Sequence, residues 1–301
     1  MKEVAKHHRI LNFPNARGKE EQWLAIDCAF IESGILYAKK NGCKRVLFGV
    51  MDDKKAANDV KIDVLQRLEG LEGVIWHIPI SKGADLSALK AHVGMKYLSI
   101  IQPNLIIDLG AFPELEYLGF FFSETITGYD KASKLRYVSV SGLSADLGFL
   151  GAVKNLIKLD IVRSDIESLA GIEKSAKLEE LSLIRCGKLA DVSHAASLRR
   201  LQTFSIENSS ELTDLSVLRK FNSLKTLWLK LKKIESCTFI PIMKSIEFAS
   251  INAEIMDNDL SPFLTSETLE EVWFSPMKRT YSPKLSPDEI NEMLIARKSR
   301  R

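Results

Sequence analysis

A short apolar pattern recurs nine times along this chain and constrains its fold more than any other feature. The pattern is apolar-x-x-apolar-x-apolar, and its first positions are separated by 20, 20, 21, 22, 23, 23, 19 and 26 residues. Repetition at such a period is typical of chains built from stacked structural repeats. The first, fourth and sixth positions are Met95/Leu98/Ile100, Leu115/Leu118/Phe120, Leu135/Val138/Val140, Leu156/Leu159/Ile161, Leu178/Leu181/Leu183, Leu201/Phe204/Ile206, Leu224/Leu227/Leu229, Met243/Ile246/Phe248 and Leu269/Val272/Phe274.

The spacing within the pattern predicts a short strand with one buried face. The fourth and sixth positions differ by two, so their side chains point to one face, and the third, fifth and seventh point to the other. A second apolar series follows each strand at three-residue intervals, as in Ile166, Leu169 and Ile172, which favours a 3₁₀ or irregular helical return. Stacked coils of this kind bury a shared core between a parallel sheet and its returns.

This combination of strand and return patterns resembles the leucine-rich repeat family in its short, bacterial-like form of about 22 residues. The resemblance covers about residues 71–276, with Leu71/Val74/Trp76 as an earlier, degenerate coil. It implies an α/β solenoid with a parallel sheet on the concave face and short 3₁₀ or irregular helical returns on the convex face. The alternative is a conventional α/β sheet with helical crossovers, because the intervals leave room for crossovers of about ten to twelve residues.

The turn after each strand departs from the pattern of that family. The family usually places Asn three residues after the last strand hydrophobe, where its amide satisfies backbone groups. We expect Ser and Cys to serve partly in this role, and Leu and Lys not to serve. The residues at these places are Pro103, Ser123, Leu143, Ser164, Cys186, Ser209 and Lys232.

The two ends of the chain lack the repeat and are predicted to cap it, because exposed solenoid ends must be covered. Residues 1–70 are interpreted as an α/β capping region, with a helix over 29–41, a strand over 45–50 and a second helix that Asp52 or Asp53 caps and that runs through 61–68. Residues 277–301 are interpreted as a capping helix that starts at Ser286 and packs through Ile290, Met293 and Leu294. A basic tail follows, formed by Arg297, Lys298, Arg300 and Arg301.

Charge and cysteine usage favour a cytoplasmic protein that does not bind nucleic acid. Residues 91–276 carry 20 Lys or Arg against 24 Asp or Glu, so the repetitive part has a net charge of −4 and lacks the basic footprint that phosphate backbones require. Cys28, Cys43, Cys186 and Cys237 are scattered, as expected for free thiols in a reducing compartment. No signal-peptide pattern and no run of 18 apolar residues occurs, so neither secretion nor membrane association is predicted.

No motif in the sequence points to catalysis, a cofactor or a metal. His7, His8, His77, His92 and His194 stand at no ligand or acid–base spacing from Cys, Asp or Glu, and the adjacent pair His7 and His8 is interpreted as ordinary surface. Phosphate-binding glycine loops and nucleophile or zinc motifs are missing as well. An enzyme with its chemistry in residues 1–90 remains an alternative, with Cys43 or His77 as its only candidate residues.

The outward strand positions predict a binding surface on the concave face. Aromatic side chains are not needed on the outward face of a strand, and exposed Tyr and Trp commonly anchor protein interfaces. The tyrosines at 97, 117 and 137 have a structural alternative, as a lateral ladder or as residues covered by the N-terminal cap. The candidate binding residues are Tyr97, Tyr117, Tyr137, Phe121, Lys158, Asp160, Arg163, Glu180, Arg185, Trp228 and Trp273.

The sequence therefore predicts a non-catalytic protein-binding module that recognises its partner through the concave face. Two further hypotheses stay open: an immunity or inhibitor protein that neutralises a toxin or an enzyme, and a scaffold that regulates a phosphatase. Both depend on fold analogy. Neither the partner nor the oligomeric state can be predicted from the sequence.

Overall fold

The computed structural model describes residues 2–5, 8–14, 19–49, 61–80 and 86–299. The chain divides into two compact units. Unit 1 comprises residues 1–141 and 152–155, and unit 2 comprises residues 142–151 and 156–301. No helix in the described ranges is both long and apolar enough to cross a bilayer.

Unit 1 is a sheet that starts antiparallel and continues parallel. Strands β1 to β3 pair antiparallel, and from β3 onward the neighbours β4, β5, β6, β8 and β10 pair parallel, while β7 and β9 form a separate two-stranded ladder. The strands and helices are β1 Lys2–Ala5, β2 His8–Pro14, β3 Glu20–Asp27, α1 Ile31–Lys40, β4 Arg45–Gly49, β5 Gly73–Trp76, α2 Ser87–Lys90, β6 Tyr97–Ile100, β7 Ile107–Asp108, β8 Tyr117–Phe121, β9 Ile126–Thr127 and β10 Tyr137–Ser141.

The N-terminal region contains more strand than its sequence predicts. Helix α1 and strand β4 lie where they are expected, but the described part of the second expected helix is a 3₁₀ segment over Ile62–Arg67, and β1 to β3 were not predicted. The expected caps of that helix, Asp52 and Asp53, lie outside the described residues. Strand β3 continues the repeat because Leu24 aligns with Val46, which aligns with Val74, and all three are buried. The coil at Leu71/Val74/Trp76 is confirmed, with all three side chains in the core.

Unit 2 is a parallel sheet whose strands follow one another in chain order. Short 3₁₀ segments such as Ile172–Lys174, Ser193–Ser197, Ser216–Lys220 and Ile240–Ile242 return the chain between strands, as the three-residue apolar period predicts. The strands and helices are β11 Lys158–Val162, β12 Glu180–Ile184, β13 Thr203–Glu207, β14 Thr226–Ile234, β15 Phe248–Ile255, α3 Ser261–Thr265, β16 Glu271–Ser275 and α4 Pro287–Lys298.

The predicted alternation of inward and outward residues is confirmed in β11 to β14. In β12 the inward Leu181 and Leu183 are fully buried, whereas Glu180, Ser182 and Ile184 are half-buried on the other face. The core thus lies between each strand and its return segment.

The predicted register of the eighth coil is wrong. Strand β15 aligns Phe248 with Thr226 and Ala249 with Leu227, so Ala249 and Ile251 are the inward residues and Phe248 faces outward. Ile246 is then the first position of this coil, and the intervals to its neighbours become 22 and 23 residues. The small inward Ala249 explains the error, because Met243/Ile246/Phe248 has the same spacing and larger apolar residues.

Serine and cysteine replace asparagine in part at the turns of unit 2. The Ser164 hydroxyl accepts a hydrogen bond from the backbone N–H of Leu143 at 3.1 Å and donates to the carbonyl of Val162 at 3.1 Å. The Cys186 thiol donates to the carbonyl of Ile161 at 3.6 Å. The expectation that these two residue types substitute for Asn is therefore confirmed at both places.

The C-terminal helix starts as its sequence predicts. The Ser286 hydroxyl accepts from the N–H of Glu289, and the Glu289 carboxylate accepts from the N–H of Ser286, which forms a capping box. Ile290 and Leu294 are buried, but Met293 is 49% exposed, so its predicted packing is wrong. Residues 290 and 294 share one helix face, and 293 falls beside it.

The described part of the basic tail belongs to the fold. The Arg297 guanidinium donates to the carbonyls of Leu264, Ser266 and Leu269, and Lys298 pairs with Glu270. Arg300 and Arg301 lie outside the described residues. The two described cations therefore hold α4 against the last coil.

Candidate binding surface

The tyrosines of unit 1 form a row at equivalent positions of three neighbouring strands. Tyr97 aligns with Tyr117, and Tyr117 aligns with Tyr137. The rings of Tyr97 and Tyr117 stack with centroids 3.9 Å apart and planes 3° apart, and all three side chains are half-buried. Stacking follows from the geometry, because aligned residues on adjacent strands are only about 5 Å apart.

A tryptophan from the N-terminal region ends this row. The Trp23 ring meets Tyr97 edge-on with centroids 5.0 Å apart, although β4 and β5 lie between their strands. Gly73 makes this contact possible, since a Cβ atom on it would lie 2.6 Å from the Trp23 indole. Trp23 itself is buried, and the rings of Phe13 and Trp23 meet edge-on with centroids 6.3 Å apart. Phe121 lies half-buried at the end of β8, opposite Ser141.

Three charged candidate residues of unit 2, Lys158, Asp160 and Glu180, lie on the neighbouring strands β11 and β12. Lys158 and Glu180 form an ion pair at 2.9 Å across β11 and β12. Burial raises the pKa of the Asp160 carboxyl, while Lys158 and a hydrogen bond from Ser182 act in the opposite direction. Lys158 and Glu180 thus neutralise each other across the two strands.

The two predicted tryptophans lie on one outward row of unit 2, separated by a small residue. Trp228 aligns with Ser250, and Ser250 aligns with Trp273. Each tryptophan side chain is 46% exposed. The Phe248 ring packs against Trp228 with centroids 4.8 Å apart, and the Trp273 indole N–H donates to the Glu271 carboxylate at 2.6 Å. Both tryptophans thus remain partly open to solvent.

A shallow depression of about 200 Å³ lies beside Trp228. Its lining combines the indole with the small polar residues Ser205, Ser250 and Asn252 and with the ion pair between Lys230 and Glu207 at 2.7 Å. A depression of this size and mixed polarity suits one or two side chains of a protein partner better than a drug-sized ligand, which usually needs about 300 Å³ or more.

Arg163 and Arg185 come directly after β11 and β12, at the edge of the sheet. Both are exposed, and both have left-handed backbone angles, with φ of 47° and 57°. The same place holds Gly142 and Asn208 in two other coils, also with positive φ. Gly and Asn suit this conformation, whereas Arg carries a steric penalty there.

The two candidate residues for an enzyme do not form a site. Cys43 precedes β4 and His77 follows β5, and because these strands pair in parallel register the two residues lie at opposite ends of the sheet. Burial raises the pKa of the Cys43 thiol, which disfavours the reactive thiolate. No group of three or more possible metal ligands occurs among the residues that the structure describes.

The interpretation of His8 as a surface residue is wrong, and His7 lies outside the described residues. His8 is 2% exposed, and its Nε2 atom hydrogen-bonds the Ser33 hydroxyl at 2.9 Å, which itself donates to the carbonyl of Phe30. The strand around His8 alternates too weakly to show which face is buried. His92 is also buried, with its Nε2 atom 3.1 Å from the carbonyl of Leu65.

The structure thus separates the candidate binding residues into two sets. Tyr97, Tyr117, Tyr137 and Phe121 belong to unit 1, and the remaining seven belong to unit 2. Sequence reasoning missed Phe248 and Trp23 as neighbours of the candidate residues. A more even interval of 22 residues at the eighth coil was the signal for Phe248, and no comparable signal existed for Trp23.

Neither a protein-family model nor a curated protein sequence matches this chain. Among solved structures, an internalin from Listeria monocytogenes matches with a TM-score of 0.50 and 13% identity, over 90% of this chain and 90% of that chain. An internalin C2 from the same organism matches with a TM-score of 0.47 and 18% identity, over 62% and 84% respectively. A leucine-rich repeat protein from Leptospira interrogans matches with a TM-score of 0.44 and 15% identity, over 86% and 60%.

The first of these matches, together with the parallel strands and short 3₁₀ returns, establishes the fold class. The alternative of helical crossovers is excluded for β11 to β15, because their connections contain 3₁₀ segments and no α-helix. The chain has the fold of the leucine-rich repeat proteins.

Proposed function

We propose that this chain is a protein-binding module and that its partner binds the outward face of unit 2 around Trp228 and Trp273. One observation carries the proposal: two indoles, each 46% exposed, lie on one outward row, where the core does not need them. Tryptophan is the residue type most enriched among the few that dominate interface energies.

The surroundings of these indoles support a protein partner. Phe248 extends the apolar surface, and the depression beside Trp228 offers space for partner side chains. Charged residues such as Glu207, Lys230 and Glu271 surround the aromatic centre, which corresponds to the apolar core and polar rim of known interfaces. A rigid sheet that is already ordered also avoids the entropic cost of folding on binding.

A cytoplasmic location is part of the proposal. Cys28, Cys186 and Cys237 are buried free thiols, and burial and nearby carboxylates raise the pKa of Cys237. Buried thiols of this kind suit a reducing compartment, because they have no role as disulfide partners.

The test is affinity capture with the tagged 301-residue chain, followed by titration of the purified partner against variants. Trp228→Ala and Trp273→Ala should each weaken binding by about 30-fold or more, which corresponds to about 2 kcal/mol. The matched control is Ile242→Ala, which removes an apolar side chain of 44% exposure from a return segment. Normal binding by both tryptophan variants, or a comparable loss with Ile242→Ala, would overturn the proposal.

A further inference from the structure

Arg163 and Arg185 occupy backbone positions that do not suit arginine. Each is the first residue after its strand, with φ of 47° and 57° respectively. The equivalent residues Gly142 and Asn208, with φ of 68° and 55°, show what the backbone alone prefers here. Non-glycine residues held in such conformations cluster at functional sites, where the side chain is needed at that place.

The two arginines also lie side by side. Val162 aligns with Ile184, and the backbone N–H of Arg163 donates to the carbonyl of Ile184 at 2.8 Å, so the arginines follow each other on adjacent coils about 5 Å apart. Like charges aligned across neighbouring strands destabilise a sheet. The pair therefore disfavours the fold in two ways, through its backbone and through its charge.

Nothing within the described ranges of the chain neutralises this pair. Both side chains are exposed, and neither makes a hydrogen bond or an ion pair there. Lysines of the surrounding coils behave differently, because they have carboxylate partners within 3.1 Å. These ion pairs are Lys158–Glu180, Lys188–Asp165 and Lys230–Glu207.

We propose that Arg163 and Arg185 together bind an acidic segment of the protein partner. The inference rests on the proposed function and adds the chemistry of the ligand to it. Each guanidinium can bind one carboxylate through two parallel hydrogen bonds. The edge of the sheet fixes the backbone positions of both arginines. Two adjacent cations without local partners complement two carboxylates on one short chain segment.

The position of the pair fits the same interface as the tryptophans. Strand β12 lies two strands from β14, so Arg185 is about 10 Å from the coil of Trp228 across the sheet. One partner surface of ordinary size covers both. A nucleic acid fits this face poorly, because Asp160, Glu180 and Glu207 would face its phosphates.

The probe is a fluorescein-labelled octapeptide of alternating Glu and Gly. Its binding to the 301-residue chain is compared with that of its Gln counterpart by fluorescence polarisation at low salt. Arg163→Gly and Arg185→Gly should each weaken binding of the Glu peptide about threefold, and the double variant about tenfold. Glycine suits the left-handed backbone, so the Tm should stay within about 2 °C of wild type or rise. Arg185→Asn is a second variant that tolerates this backbone.

Lys188→Gln is the matched control, since it removes the same formal charge from a lysine that is already paired with Asp165. It should change the affinity less than twofold. Equal binding of the Glu and Gln peptides, an equal loss in Lys188→Gln, or tighter binding of octathymidylate DNA would each overturn the proposal. A Tm loss of more than about 5 °C in both Gly and Asn variants would also overturn it, because the arginines would then serve the fold.

Trp228→Ala separates this inference from the proposed function. It should lose the captured partner but retain at least half of the affinity for the Glu peptide, because both arginines are intact. A Trp228→Ala variant that binds the captured partner normally while the arginine variants lose the Glu peptide would contradict the proposed function alone. Loss of the captured partner in Trp228→Ala, together with normal binding of the Glu peptide by the arginine variants, would contradict the proposal for the arginine pair alone.

Discussion

The two units place aromatic residues on equivalent outward faces with opposite results. In unit 1, Tyr97 and Tyr117 occupy adjacent strands, and their rings stack 3.9 Å apart. In unit 2, Trp228 and Trp273 occupy alternate strands with Ser250 between them, and each is 46% exposed. Tyr97 and Tyr117 therefore cover each other on adjacent strands, whereas Trp228 and Trp273, with Ser250 between them, stay partly exposed.

Strand spacing accounts for the difference. Aligned side chains on neighbouring parallel strands are about 5 Å apart, which is close to the separation between two stacked aromatic rings. Aligned side chains on alternate strands are about 10 Å apart. We infer that the tyrosine row mainly stabilises its sheet and that the tryptophan row mainly binds.

The largest expected effect tests the register on which both rows depend. Leu181→Asp should lower the free energy of unfolding by about 4 kcal/mol or more, because the new carboxylate would be buried without a partner. Ser205→Asp places the same side chain on the outward face of the next strand and should cost less than about 1 kcal/mol. Urea denaturation measures both values, and similar losses in the two variants would show that the register is wrong.

The second largest effect on stability is expected when the tyrosine row is interrupted. Tyr117→Ser leaves Tyr97 and Tyr137 on alternate strands, which copies the arrangement of the tryptophans. The loss of the stacked ring and its buried area should lower the free energy of unfolding by about 1–3 kcal/mol. The control is Tyr137→Phe, which keeps the ring and should change stability by less than about 1 kcal/mol. A Tyr117→Ser variant as stable as wild type would contradict the inference that the tyrosine row stabilises its sheet.

A smaller effect on stability is expected when an aromatic ring is placed between the two tryptophans. Ser250→Tyr puts a ring between Trp228 and Trp273, and the three rings should stack as the tyrosines do. The free energy of unfolding should rise by about 0.5–1 kcal/mol, and the captured partner should lose its access to the indoles. Ser250→Thr serves as the control without a ring. A drop in stability with unchanged partner binding would contradict the comparison.

The smallest effect is a pH dependence on the return side of unit 2. Backbone N–H groups of Ser193 and Ser216 donate to Asp191 and Asp214 and lower the pKa of both carboxyls. A lowered pKa in the folded state gives stability that is present above the unfolded pKa, about 4, and is lost as pH falls through the folded pKa.

The Asp191→Asn/Asp214→Asn double variant keeps the hydrogen-bond acceptors and removes the charges. The Tm of wild type should be higher than that of the double variant at pH 7, and this difference in Tm should shrink as pH falls from 4 towards 2.5. A difference that is constant over this range would mean that the two carboxylates do not contribute through their charge.

Most of the strand register could be predicted from the sequence, because large apolar residues fill the inward positions of almost every coil. The exception is β15, where Ala249 occupies an inward position and Phe248 an outward one. An apolar pattern cannot separate these two registers, and only the evenness of the intervals favours the correct one. The error concealed that Ser250, and not Glu247, separates the two tryptophans.

The candidate site could be predicted less completely. Outward aromatic and charged residues were visible in the sequence, but the stacking of Tyr97 on Tyr117 depends on the geometry of the sheet. The left-handed backbone of Arg163 and Arg185 has no sequence signal, since arginine is uncommon in that conformation. The hairpin of β2 and β3 was missed because neither strand shows a clear alternation of apolar and polar residues.

The most direct test of the central claim is calorimetric titration of the captured partner against Trp228→Ala and Tyr117→Ala, well below the melting temperature of either variant. We expect Trp228→Ala to weaken binding by about 30-fold or more and Tyr117→Ala to weaken it less than about threefold. A loss of binding in Tyr117→Ala with normal binding in Trp228→Ala would contradict the account and move the interface to the tyrosine row.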